Sequence, residues 1–187
     1  SFPTRRSSDL DGSAAVPLLG GHRGANALAR AIAKTTGGTA ALTTGSELRL
    51  GLALDAPPPG WCVANPARAK ALTARLLAGK WLGIAVEAGN ADWLTGHPQI
   101  HPAKGDRADI RVTDRAPASG PRALVLHPPV LVLGVGTSRH CRPAELRSLV
   151  RRTLRAAKLA EGAIAAVVSL DLKMDEPAVT QLAEGLG

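Results

Sequence analysis

The sequence predicts an α/β fold made of two small, mostly parallel-sheet units, and three observations carry that prediction. Apolar runs of strand length alternate with segments whose apolar residues recur at helical spacing. Each helical segment is long enough to serve as a crossover between parallel strands. Gly or Pro stands at most of the junctions. With 187 residues, 45% of them hydrophobic, the chain can bury a core in one sizeable domain or two small ones. No uncharged apolar run reaches about eighteen residues, and the start has no basic, apolar and small-residue succession of a signal peptide. A soluble cytoplasmic protein with no membrane partner is expected.

The first ten residues, Ser1 to Leu10, read like the conceptual translation of a sequencing adapter and are set aside. Their removal takes two Arg, one Asp and the single Phe, and leaves 21 basic residues against 14 acidic. From residue 11 to 88 the expectation is one α/β unit cut short at its start. Ala14 to Leu19 reads as a strand, and Asn26 as the N-cap of a helix from Ala27 to Thr35 that Gly37 and Gly38 terminate. Thr39 to Thr44 is a short strand, Leu50 to Leu54 a short apolar element, and Pro57 to Pro59 an extended connection. Pro66 opens a helix over Ala67 to Ala78, Gly79 stops it, and Trp81 to Glu87 follows as a strand.

Residues 89 to 128 are rich in Gly, Pro, Asp and Asn, with Ile110 to Thr113 their one strand-like run, and are expected to be a linker or middle region. Residues 129 to 187 form the second unit, cut short at its end. Val130 to Val135 suits a buried strand, Pro143 to Lys158 a long helix, and Ile164 to Leu172 a returning strand. The helix carries Leu146, Leu149, Val150, Leu154 and Leu159 on one side, with Arg147, Arg151, Arg152, Arg155 and Lys158 on the other.

Among function classes, nucleic-acid binding is disfavoured despite a net charge of +8, because the chain has no Tyr and one Phe to serve as base-stacking platforms. Cys62 and Cys141 stand in no metal or disulfide spacing. His97 and His101 are each followed by Pro, and His127 by two, so all three read as loop or extended-chain residues.

Two segments carry chemistry. Gly20-Gly21-His22-Arg-Gly24-Ala25-Asn26 lies between a strand and a helix, where unpaired N–H groups attract an anion or a developing oxyanion. In the second unit, Gly134-Val-Gly136 closes one strand. Asp171, Lys173 and Asp175 alternate on one face at the end of the next, just ahead of Glu176 and Pro177. Ligands of open parallel sheets sit beyond such strand ends. The competing reading makes Asp175 a helix cap, Glu176 and Pro177 first-turn residues and Lys173 a counter-charge.

Both segments resemble the CbiG family of cobalt-precorrin-5A hydrolases and its CobE-like C-terminal domain, in the expected order. The resemblance rests on Gly-His22-x-Gly24-Ala25-Asn26, on Leu133-Gly-Val-Gly136, and on Ser-Leu-Asp171-Leu-Lys173-x-Asp-Glu176-Pro. Trp61-Cys-Val-Ala-Asn65-Pro and Leu124 to Val130 add to it. The chain departs from the family at Thr137, where Cys is usual, and at His140, where Gly is usual, so a thiol-dependent role does not carry over to that turn.

The resemblance implies opening of the cobalt-precorrin-5A δ-lactone with loss of acetaldehyde. It implies a cobalt-corrinoid intermediate as partner, no resident cofactor because the substrate carries the cobalt, and other enzymes of the pathway as compatible partners. His22 is then the candidate general base, with Asn26 and the Gly24 and Ala25 N–H groups as oxyanion donors. Lys173 and Glu176 are candidate proton carriers, and Gly21, Gly134, Gly136 and Asp171 line the substrate. The same resemblance allows a non-catalytic CobE-like binding module, or a piece of a fusion with precorrin-3B C17-methyltransferase.

Overall fold

A computed structural model describes residues 14–15, 25–40, 50–117, 122–170 and 176–186. The chain divides into two compact units between Ala56 and Pro57. In the first, strand β1 (Ala14–Ala15) pairs parallel with β2 (Thr39–Ala40), and helix α1 (Ala25–Thr36) connects them. The helix ends at Gly37, whose φ of +71° is a left-handed conformation that glycine holds without a Cβ clash. It begins at Ala25, two residues ahead of the expected Ala27, so Asn26 belongs to the first turn and is not the cap. The expected strand residues 16–19 and 41–44 lie outside the described residues. Past Leu50 the expected apolar element is a series of bends and turns, although Leu52 and Leu54 are buried.

The second unit holds a five-stranded sheet of β3 (Cys62–Val63), β4 (Leu82–Val86), β5 (Ile100–Pro102), β6 (Ile110–Val112) and β7 (Leu124–His127). Their order is β3-β7-β6-β4-β5, and every neighbouring pair is parallel except β3 with β7. All four residues of β7 are buried, as in a strand covered on both faces. Helix α2 (Ala67–Leu77) buries Ala69, Leu72 and Leu76, a stripe at helical spacing. Asp109 ties it to the sheet, since one carboxylate oxygen meets Arg75 Nη1 at 2.5 Å and the other accepts from the Gly83 N–H at 2.9 Å. A Cβ at Gly83 would stand 2.7 Å from that of Ala103, so this strand position has room only for glycine.

The stretch expected to be a linker thus supplies β5, β6 and β7, together with the one-turn helix α3 (Asp92–Thr95). Strands of three or four residues are too short to declare a period, and pairing is what makes them strands, β5 and β6 along β4 and β7 along β6. That pairing also crosses the expected boundary between residues 88 and 89.

Beyond the sheet, β8 (Leu131–Gly134), α4 (Pro143–Ala157), β9 (Ile164–Val168) and α5 (Pro177–Glu184) follow, with β8 parallel to β9. Leu146, Val150 and Leu154 of α4 pack on Ala178, Val179 and Leu182 of α5, and Leu133, Val135, Ile164 and Val167 join them from the strands. Leu149, expected on this apolar side, is 46% exposed. At about 100° per residue it lies about 100° from the middle of the 146/150/154 stripe. The strand expected to be fully buried over Val130 to Val135 is covered on one face only, and Val132 is 64% exposed on the other.

Candidate functional site

The carboxyl ends of β8 and β9 are tied together before either chain leaves the sheet. The Val135 N–H donates to the Val168 carbonyl at 2.9 Å, and the Ser169 hydroxyl donates to the Val135 carbonyl at 2.9 Å. From there residues 135–142 loop over to α4, which opens with Pro143 at its first position, a place where the missing N–H costs nothing. Helix α5 opens the same way, with Glu176 extended at the N-cap and Pro177 next. Two helix N-termini, each with partial positive charge, therefore start from one end of this small sheet.

Glu176 joins them. Its Oε1 accepts from the backbone N–H of His140 at 2.8 Å, while its carbonyl accepts from the Val179 and Thr180 N–H groups. His140 has φ of +62°, a conformation that costs a Cβ-bearing residue energy and glycine none. The turn in which this chain departs from the family's glycine is thus one whose backbone calls for it. Gly134 and Gly136 have ordinary φ values, and among the described residues a Cβ would meet Val168 Cγ2 at 3.9 Å in the first case and nothing within 4 Å in the second. Packing against the described residues requires neither glycine. Thr137, at the position of the family's cysteine, has a buried hydroxyl with no hydrogen-bond partner among the described residues.

Of the expected site residues, Gly134, Gly136 and Glu176 come together at the end of the β8–β9 sheet. Asp171 and Lys173 belong by sequence to the same end but lie outside the described residues, as do Gly21, His22 and Gly24. Ala25 and Asn26 form the first turn of α1, which keeps the Ala25 N–H among the amides that have no intrahelical partner. Sequence reasoning missed the His140 amide and the Thr137 hydroxyl. The only signal for either was the pair of departures from the family pattern. Among the described residues, no three His, Cys, Asp or Glu side chains are grouped to hold a metal, and no helix is long and apolar enough to cross a membrane.

Comparison with known proteins gives two domain matches: cobalamin synthesis G N-terminal over residues 7–47, and cobalamin synthesis G C-terminus over residues 131–187. The first begins within the segment set aside as adapter-like. A cobalt-precorrin-5A hydrolase from Priestia megaterium is 23% identical over 199 aligned positions, covering 96% of this chain and 53% of that protein. The chain therefore spans about half the length of the curated relative it matches. The crystal structure of a cobalamin biosynthesis protein G homolog from Sulfolobus solfataricus aligns at 21% identity and a TM-score of 0.34, covering 95% of this chain and 52% of that one.

Proposed function

The chain belongs to the cobalamin synthesis G family, and on that premise we propose that it acts in cobalamin biosynthesis, in the hydrolytic opening of the cobalt-precorrin-5A δ-lactone. Acetaldehyde leaves and cobalt-precorrin-5B is formed. The observation that carries this reading is the pair of domain matches in order, one spanning the Gly20 to Asn26 motif and the other spanning Gly134, Gly136 and Glu176. The Priestia megaterium hydrolase supports the reaction class.

Lactone hydrolysis needs a water stripped of a proton and donors aimed at the oxyanion of the tetrahedral intermediate. His22 is assigned the first task. The N–H groups of Gly24 and Ala25 and the Asn26 amide are assigned the second, at the helix end where amides are unpaired. Loss of the two-carbon fragment also requires a carbon–carbon bond to break, with the conjugated macrocycle accepting the electron pair and a protein group moving a proton. Lys173 and Glu176 take that role. Glu176 Oε1 is engaged by His140, which leaves Oε2 for the proton. Cobalt arrives with the substrate, and the protein needs no cofactor of its own. The alternative role for Lys173, shared with the arginines of α4, is to hold the carboxylates at the substrate's rim without taking part in the chemistry.

The test is acetaldehyde release from cobalt-precorrin-5A, followed by coupled NADH oxidation. His22→Ala is expected to slow release about 10²- to 10⁴-fold, the usual weight of a general base. Undiminished release by His22→Ala removes His22 from the mechanism. Corrinoid binding without any acetaldehyde from the unsubstituted chain overturns the hydrolase reading in favour of a CobE-like binding module.

A further inference from the structure

A cavity of about 430 Å³ lies at the carboxyl ends of β6 and β7, within the second unit and away from the β8–β9 strand ends. Its size suits a small molecule. Its position is where open parallel sheets hold ligands. The floor is made by Cys62 and His127, which face each other across the antiparallel β3–β7 pair and so share one side of the sheet. Arg151 and Arg155 of α4 and the turn carrying Glu161 and Gly162 close it from above.

His127 is only 3% exposed, and its ring is oriented by one bond. Nδ1 lies 2.7 Å from the Thr113 carbonyl, and because a carbonyl only accepts, Nδ1 carries the proton. The opposite edge of the ring faces Gly162, with Cδ2 3.4 Å from where a Cβ on that glycine would stand. Nε2 on that edge has no partner among the described residues, and in the neutral ring it accepts a hydrogen bond. Gly162 itself leaves no slack, since a Cβ there would come within 2.7 Å of Cys62 Sγ. At the rim, Arg151 is loosely paired with Glu161, Nε to Oε2 at 3.8 Å, whereas Arg155 has no ion-pair partner among the described residues. Both arginines also border a groove along α4 with Arg147 and Arg152, so positive charge leads up to the opening.

We propose that this cavity binds a small organic anion bearing both a carboxylate and a hydroxyl or N–H group. Arg155 holds the carboxylate, and His127 Nε2 accepts from the hydroxyl or N–H. The assignment shares Arg155 with the hydrolase reading, which sets the arginines of α4 at the substrate's rim, but it invokes neither the lactone nor the two glycine motifs. The ligand is a free acid, small enough to place its carboxylate on Arg155 and its hydroxyl or N–H on His127 together.

Cys62 is exposed on the cavity floor and serves as the reporter, with Cys141 as internal reference. The full chain is alkylated with iodoacetamide in the presence of citrate, tricarballylate, uroporphyrin or neutral triethyl citrate, and the rate at each cysteine is read by mass spectrometry. Citrate is expected to slow Cys62 at least tenfold while Cys141 is unchanged. Protection by uroporphyrin without protection by citrate overturns the proposal, since an acidic arm of a tetrapyrrole brings no hydroxyl or N–H to His127. For a free acid, tricarballylate, which lacks only the hydroxyl, should require about ten times the citrate concentration. Arg155→Gln, on an exposed helix face, should weaken protection by the effective anion about tenfold. Absence of protection by citrate, equal protection by triethyl citrate, or an unchanged Arg155→Gln variant overturns the proposal.

Discussion

Asn65 acts as a peptide group inserted into the sheet, and its removal should be costly out of proportion to its size. Its Oδ1 accepts from the Val125 N–H at 2.8 Å, and its Nδ2 donates to the Ala123 carbonyl at 2.9 Å, so one side chain continues the pairing that β3 begins along β7. Each bond contributes about 1 kcal/mol net. In Asn65→Ala the Val125 N–H, on a residue 2% exposed, loses its partner with little water to replace it. Stranding such a donor costs about 1–3 kcal/mol, so the total loss should be about 2–4 kcal/mol. At roughly 3 °C per kcal/mol for a unit of this size, Tm should fall by roughly 6–12 °C. Asn65→Asp keeps the acceptor for Val125 but turns a second, charged acceptor toward the Ala123 carbonyl, so it should lose at least that bond's contribution of about 1 kcal/mol while the Val125 amide stays protected. Urea unfolding gives the free energies, and amide exchange at Val125 reports the bond itself. An Asn65→Ala protein within about 0.5 kcal/mol of wild type, with the Val125 amide still protected, would refute the reasoning.

Other substitutions follow from the same geometry. Lys158, the C-cap of α4, has φ of +55°, so Lys158→Gly should raise stability by about 0.5–1 kcal/mol in urea unfolding. His140→Gly should give a similar gain of about 0.5–1 kcal/mol, and it retains the bond to Glu176 because the donor is the main chain. Glu176→Gln can keep that bond without the charge, and calorimetry should show a loss of under about 1.5 kcal/mol. Gly162→Ala presses a methyl onto Cys62 and should cost about 1–3 kcal/mol. Cys62→Ala should recover only part of that cost, since the Cys62 Cβ also lies 2.8 Å from the new methyl, and a full recovery would count against the geometry.

How much of this protein was legible follows the length of each element. Helices α1, α2 and α4 and strand β4 could be read directly, because a dozen residues with a 3.6-residue apolar period, stopped by Gly37 or Gly79, constrain the backbone locally. The α/β class followed from their alternation. Family membership followed from two glycine motifs whose spacing is a chemical pattern and needs no coordinates. Residues 89–128 were legible only at Ile110 to Thr113, where β6 lies. Ile100–Pro102 and Leu124–His127 carry too few residues for a period, and they become strands because β4 and β6 offer their edges to them.

The same distinction separates what could be known of the site residues. The residue types at the glycine loops and at Glu176 announced anion binding and proton transfer, since those capacities belong to the side chains themselves. That Glu176 holds the His140 amide, or that His127 lies buried opposite Cys62 with one ring edge committed to Thr113, is a relation between residues distant in sequence. Local propensity carries no information about such pairs. They exist because sheet register and helix packing bring separate segments within hydrogen-bonding distance, and that cooperation acts on the folded chain as a whole.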